Sequence, residues 1–143
     1  MEKKIIMYTD GGARGNPGPA AIGVVFPNLQ KEYKEQIGIA TNNVAEYKAV
    51  IFGLKKAKQL LKDGCGKIEI EVRSDSELLV HQMNGKYKVK NENLKHLFID
   101  AQNLLKNFKN VKFVHIPREK NKEADRMVNS ALDPVVKAQK SFL

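Results

Sequence analysis

Lys4-Ile5-Ile6-Met7-Tyr8-Thr9-Asp10-Gly11-Gly12-Ala13-Arg14-Gly15-Asn16-Pro17-Gly18-Pro19 is the stretch on which the reading of the fold turns. Its first part, Lys4 to Thr9, is apolar and β-prone, the pattern of a buried strand. From Asp10 to Pro19 the chain then places four of its ten glycines and two of its five prolines. That density predicts a tight loop, with Asp10 ending the strand. Beyond it, Ala20 to Phe26 predicts a second strand and Lys31 to Ala40 a third, joined near Pro27-Asn28. Three strands with short links predict an antiparallel meander.

Further along, Thr41-Asn42-Asn43 offers N-cap chemistry, with Glu46 in the first turn of a helix that runs to about Lys62, before Gly64 and Gly66. Lys67 to Arg73 alternates Ile68, Ile70 and Val72 with Glu69, Glu71 and Arg73, which predicts a half-buried fourth strand. Ser74-Asp75-Ser76 caps a short helix to about Met83. Asn91 to Phe108 carries the apolar stripe of an amphipathic helix. Val111 to Ile116 predicts the fifth strand, Pro117 to Lys122 a loop, and Glu123 to Leu132 a last helix ended by Pro134 and followed by a short basic tail. The order βββαβααβα predicts an α/β protein, a mixed five-stranded sheet flanked by helices.

The 143 residues suffice for one domain, 1–143, with a core over about 4–132. No run approaches the ~20 apolar residues of a membrane helix, and Lys3-Lys4 followed so soon by Asp10 is no signal-peptide core. A membrane partner is not expected. The single cysteine, Cys65, fits a reducing compartment, and a cytoplasmic location is expected. Twenty-five Lys and Arg against sixteen Asp and Glu give a net charge of +9, which favours a polyanion such as nucleic acid as partner.

Against that basic background a few acids are out of place. At 100° per residue, Val50, Gly53, Ala57 and Leu60 fall within about 40° of Glu46, so Glu46 lies on the face that must pack on the sheet. A carboxylate there is costly unless paired or metal-bound. Asp10 and Asp75 each end a strand, and Asp125 lies beside the apolar stripe of the last helix. If the first and fourth strands are parallel neighbours, Asp10, Glu46 and Asp75 meet at one sheet edge. Four converging acids without four bases repel one another unless cations neutralise them. With oxygen ligands only, Mg²⁺ or Mn²⁺ is favoured, and such a cleft in a basic protein suits phosphodiester hydrolysis.

Four segments, in order, resemble those of type 1 ribonuclease H: Tyr8-Thr9-Asp10-Gly11-Gly12 with Gly15 to Pro19, Thr41 to Glu46, Ser74-Asp75-Ser76, and Pro117 to Asp125. The resemblance covers residues 4–132. It implies the ribonuclease H fold, with sheet order 3-2-1-4-5 and strand 2 antiparallel. It implies an endoribonuclease that hydrolyses the RNA strand of RNA–DNA hybrids and leaves 3′-OH and 5′-phosphate ends. Asp10, Glu46, Asp75 and Asp125 match the family's catalytic, metal-binding acids, which hold two Mg²⁺ ions, with Mn²⁺ as a substitute. Asn16, Asn42 and Asn43 match contacts to the hybrid's minor groove, Thr41 a phosphate contact, and Arg118 stands as a further substrate-binding residue in the loop before Asp125. A monomer is expected.

Three departures from the family accompany the match. The long basic, Trp-containing insertion of many bacterial members is absent, and Lys86, Lys88 and Lys90 in its place read as a solvated charge run sooner than as a partial replacement. The loop before the last acid carries Arg118, Glu119 and Lys120 where a histidine often stands, while His115 lies earlier, in the predicted strand. Glu77 occupies a position where an amide is common. Two readings compete: a nuclease of the same fold acting on double-stranded RNA or DNA, and a non-catalytic nucleic-acid-binding module. Degenerate modules lose acids, whereas this chain keeps all four.

Overall fold

A computed structural model describes residues 3–141. Five strands form one sheet in the order β3-β2-β1-β4-β5. They are β1 (Lys3–Ala13), β2 (Gly18–Phe26), β3 (Lys31–Ala40), β4 (Ile68–Ser74) and β5 (Asn110–His115). β2 runs antiparallel to both neighbours, and β1, β4 and β5 run parallel. The helices are α1 (Asn42–Leu61), α2 (Glu77–Met83), α3 (Glu92–Leu105) and α4 (Lys122–Ser141). The expected meander, sheet order and helix order are all present.

Side chains alternate across the sheet, and the two faces are covered differently. On one face Met7, Val24, Ile70 and Val72 pack with Val50 and Leu54 of α1 in the main core. On the other, Ala21 meets Val128, Ala131 and Leu132 of α4. The glycine at position 23 lets α4 lie directly on β2, since a Cβ there would run into the Ala124 carbonyl. The part of that face on β1 and β4 that carries Lys4, Tyr8, Glu71 and Arg73 is held by charge instead. Glu71 is buried beneath Lys4 and Arg73, each 2.7 Å away, and the Lys4 hydrogen bond chiefly holds its carboxyl below the usual range.

Three boundaries differ from expectation. β1 does not stop at Asp10. On the β4 side its ladder ends at Thr9–Ser74, but on the β2 side it continues to Ala13–Ala20, so glycines 11 and 12 are strand residues and the turn begins at Arg14. Glu46 is the fifth residue of α1, in its second turn, and Leu60 is 37% exposed although the helical wheel put it on the packed face. α4 continues through Pro134 to Ser141, so the expected helix end and basic tail fall inside a helix. A proline inside a helix removes one backbone donor and crowds the carbonyl four residues back, which can kink a helix without ending it. The last two residues of that expected tail, 142 and 143, lie outside the described ones.

Candidate active site

The site opens where β1 and β4 part. Their parallel ladder ends at Thr9 and Ser74, so Asp10 and Asp75 are the first side chains past the last rung. β1 goes on with β2, while the chain after β4 turns into α2, whose N-cap is Ser76. Clefts at the carboxyl ends of parallel strands are where open α/β sheets bind ligands. Glu46 enters from α1. It is there because Thr41 starts the helix at the end of β3, its hydroxyl accepting from the Val44 amide at 3.2 Å.

Asp10, Glu46 and Asp75 each place a carboxylate oxygen within 4.8 Å of the others. Asp10 is 8% exposed and Glu46 7%. The Gly11 amide donates to Glu46 Oε1 at 2.5 Å and the Ser74 hydroxyl to Oε2 at 3.4 Å, so both oxygens of Glu46 are fixed. Asp125, from α4, lines the same cleft but stands at its rim, outside the tight group of three. Its Oδ1 lies 3.9 Å from the Arg118 guanidinium.

The charge state follows from this crowding. Burial is the largest cause and pushes Asp10 up to about 7. The charges of Asp75 and Asp125 push the same way. Burial and then the Asp10 charge raise Glu46 well above the usual carboxylate range. Both carboxyls are therefore raised, because burial and the neighbouring acid each disfavour a second negative charge in the same pocket. Burial also raises Asp75, against an opposing pull from Arg118. Two buried acids and one half-buried, held together against repulsion, form a donor set of oxygens alone, and this fits a hard divalent cation.

The expected substrate residues divide into two sets. Asn42, Asn43 and Arg118 line the cleft. Asn16 and Thr41 serve the backbone: Asn16 Oδ1 accepts from the Asn42 amide at 2.9 Å, and Thr41 caps α1. Asn42 Oδ1 in turn accepts from Ala13 N at 2.9 Å, so the β1–β2 turn and the start of α1 hold each other. Of the two candidates in the loop before Asp125, Arg118 faces the cleft, whereas Glu119 lines a separate hollow with Tyr8 and Pro27. His115 is exposed at the end of β5. Tyr47 is wholly buried and its hydroxyl donates to Gln82 at 2.6 Å.

The reverse-transcriptase-like family matches residues 8–131 of the chain. A ribonuclease H of Clostridium botulinum is 33% identical, over 92% of this chain and 97% of its own length. The chain belongs to the type 1 ribonuclease H family. Among solved structures, ribonuclease H1 of Halobacterium salinarum superposes with a TM-score of 0.84 at 38% identity, covering 92% of this chain and 98% of that one. The LC11 ribonuclease H1, solved in complex with an RNA/DNA hybrid, gives 0.86 at 49% identity, covering 92% and 99%. A bifunctional protein of Mycobacterium tuberculosis is 43% identical over 91% of this chain, but the chain spans only 36% of that protein's length.

One ribonuclease H residue that sequence reading passed over is Asn121. It is 1% exposed, and its Nδ2 donates to the carbonyl of Thr9 at 2.8 Å, one residue before Asp10. Its own carbonyl accepts the Asp125 amide at 3.1 Å. Its position between the Lys120 and Lys122 side chains gave no sign of burial; the asparagine two residues before the Glu123-Ala124-Asp125 run is the only signal available. Asn121→Ala is expected to cost about 1–3 kcal/mol, the penalty for stripping a buried carbonyl of its donor. Urea unfolding measures it, and a change below about 0.5 kcal/mol would show that Thr9 finds another partner.

Proposed function

We propose that this chain is an endoribonuclease that cuts the RNA strand of RNA–DNA hybrids and leaves 3′-OH and 5′-phosphate ends. The observation that carries the reading is the group Asp10, Glu46 and Asp75, gathered in a cleft that Asn42, Asn43 and Arg118 also line, in a chain of net charge +9. The relative solved with a hybrid supports the same substrate.

Asp10, Glu46 and Asp75, with Asp125 at the rim, are the residues that would hold two divalent ions, Mg²⁺ by preference and Mn²⁺ in its place. When bound, such ions lower the pKa of water and neutralise charge on the leaving oxygen. The protein's own parts do the rest. The Gly11 amide and the Ser74 hydroxyl keep Glu46 in one rotamer. The amides of Asn42 and Asn43 read 2′-hydroxyls and base edges without adding charge. Arg118 places a guanidinium fork where a phosphate passes. Asn16 and Thr41 add contacts to the hybrid while holding the turn and the helix start. Hydrolysis joins a water oxygen to phosphorus and breaks the bond to the 3′ oxygen, which takes up a proton. The chain acts as a monomer of one domain in a reducing, cytoplasmic setting.

Labelled RNA–DNA hybrid, double-stranded RNA and double-stranded DNA, each with excess Mg²⁺ or with EDTA, form the test. Cleavage of the hybrid's RNA strand alone, and only with Mg²⁺, is the expected result. Equal cutting of double-stranded RNA would move the substrate, and tight hybrid binding without cleavage would make the chain a binding module.

A further inference from the structure

One set of contacts in the cleft has no part in the scheme above. Arg14 stands in the β1–β2 turn, two residues before Asn16. Its Nη2 pairs with Asp133 Oδ1 at 2.8 Å and donates to Asn129 Oδ1 at 3.2 Å. Asn129 Nδ2 donates in turn to Asp125 Oδ2 at 3.4 Å. Asp125, Asn129 and Asp133 are spaced four residues apart on α4 and share one face of the helix. Arg14, Asn129 and Asp125 all line the cleft. The other oxygen of Asp125, Oδ1, is the one that faces Arg118.

The chemistry of the middle residue is specific. Asparagine is short, and its amide offers an acceptor and two donors. Here the acceptor faces a cation and a donor faces an anion, so neither can be exchanged for the other without placing like against like. An aspartate at 129 would accept from Arg14 but repel Asp125. An alanine would leave Asp125 Oδ2 with no partner from α4. The guanidinium fixes which way the amide points, and the amide fixes one oxygen of the acid. The far end of this chain is the turn whose backbone is tied to the start of α1 through Asn16 and Asn42.

We propose that Asn129, oriented by Arg14, is a positioning residue for the fourth acid, so that the Arg14–Asn129–Asp125 chain couples the β1–β2 turn to the carboxylate at the rim of the cleft. The proposal rests on the ribonuclease H reading only for its substrate. Partners that orient metal-ligating carboxylates are worth roughly 10–100-fold in metal affinity or activity when removed.

The test measures Asn129→Ala, Arg14→Ala and the double variant in two assays. The first is steady-state kinetics on a short RNA–DNA hybrid with Mg²⁺. The second is calorimetric binding of Mn²⁺ to the free protein. Asn129→Ala is expected to lower kcat roughly 10-fold or more with KM within about threefold, and to weaken Mn²⁺ binding. Arg14→Ala is expected to do the same to a smaller degree. The double variant should be no worse than Asn129→Ala alone, because the two act through one carboxylate. Asn129→Gln, which keeps both amide functions on a longer stem, should recover part of the loss. A purely structural role would lower the melting temperature without this recovery or non-additivity. Unchanged kcat in Asn129→Ala, multiplying single effects, or a rise in KM with kcat intact would each overturn the proposal, the last by making the pair direct substrate contacts. If the wild-type protein fails to cut hybrid at all, the substrate reading falls, while the Mn²⁺ affinities still decide for or against the relay.

Discussion

Asp10→Asn is expected to abolish hybrid cleavage, by more than about 10³-fold in kcat, while raising stability in metal-free buffer. The loss follows from removing the buried carboxylate that lies within 4.8 Å of both Glu46 and Asp75. Several kcal/mol of transition-state stabilisation depend on such a ligand set, and each 1.36 kcal/mol is about tenfold in rate. The gain follows from repulsion. Asp10 is raised to about 7, chiefly by burial, so its ionised form is unfavourable in the fold. An amide of the same shape has no such penalty.

The pH dependence has a definite sign. An unfolded aspartate releases its proton near 3.9, whereas folded Asp10 keeps it to about 7. Through that window the folded state binds more protons than the unfolded, so the contribution of Asp10 to stability falls as pH rises from about 4 to 7. Glu46 and Asp75, also raised, act in the same direction. The wild-type melting temperature should therefore decline across this range in EDTA, and Asp10→Asn should flatten the decline. Adding Mg²⁺ at pH 8 should restore the wild type and do little for the variant, since only the folded wild type offers the full site. Thermal melts at pH 5, 7 and 8 with and without Mg²⁺ decide this. Near-wild-type turnover in folded Asp10→Asn would remove the acid from the mechanism.

Gly11→Ala should damage fold and activity together, and Gly12→Ala should damage neither. A Cβ on Gly11 would run into the carbonyl of Ala45 and stand 2.5 Å from the Glu46 amide nitrogen. These are backbone atoms of α1, so no rotamer change relieves the clash. The helix has to shift, breaking the 2.5 Å bond from Gly11 N to Glu46 and moving the carboxylate with it. Overpacking of this kind costs typically 1–3 kcal/mol, and a contact between two backbones belongs at or above the upper end. Displacing a positioned group by about 1 Å can cost 10²-fold in rate. On Gly12 the same atom would meet only Val128 Cγ1, at 3.5 Å, an ordinary contact. Side-by-side urea unfolding and hybrid cleavage of the two variants test the argument. A Gly11→Ala protein as stable and active as Gly12→Ala would show that α1 does not rest on the β1 backbone.

Much of this molecule was legible from residue order. Strand and helix identity follow from periodicity and capping, which are local: Ile68, Ile70 and Val72 alternate wherever β4 sits, and Thr41 and Ser76 cap their helices with their own hydroxyls. Glu46 declared itself as a carboxylate on an apolar face. Its burial is what the wheel demanded. Asp10, Asp75 and Asp125 stood out by their places in the four segments that resemble ribonuclease H.

What the chain order did not contain were facts that exist only between elements. That Asp10 lies inside a strand follows from β1 keeping its second partner, β2, for four residues after β4 has gone, and a glycine-rich sequence gives no local sign of that pairing. That Asp125 stands at the rim rather than in the group of three depends on how α4 crosses the sheet over Gly23. Asn121, Ser74, Arg14 and Asn129 are ordinary polar residues in sequence. Their partners are 112, 28, 115 and 115 positions away, so their roles arise only when tertiary packing closes those loops. The sequence by itself determined which elements form and which acids are costly to bury. Tertiary structure decided which polar atoms face one another, because hydrogen bonds and like-charge repulsion act over a few ångströms of space and take no account of distance along the chain.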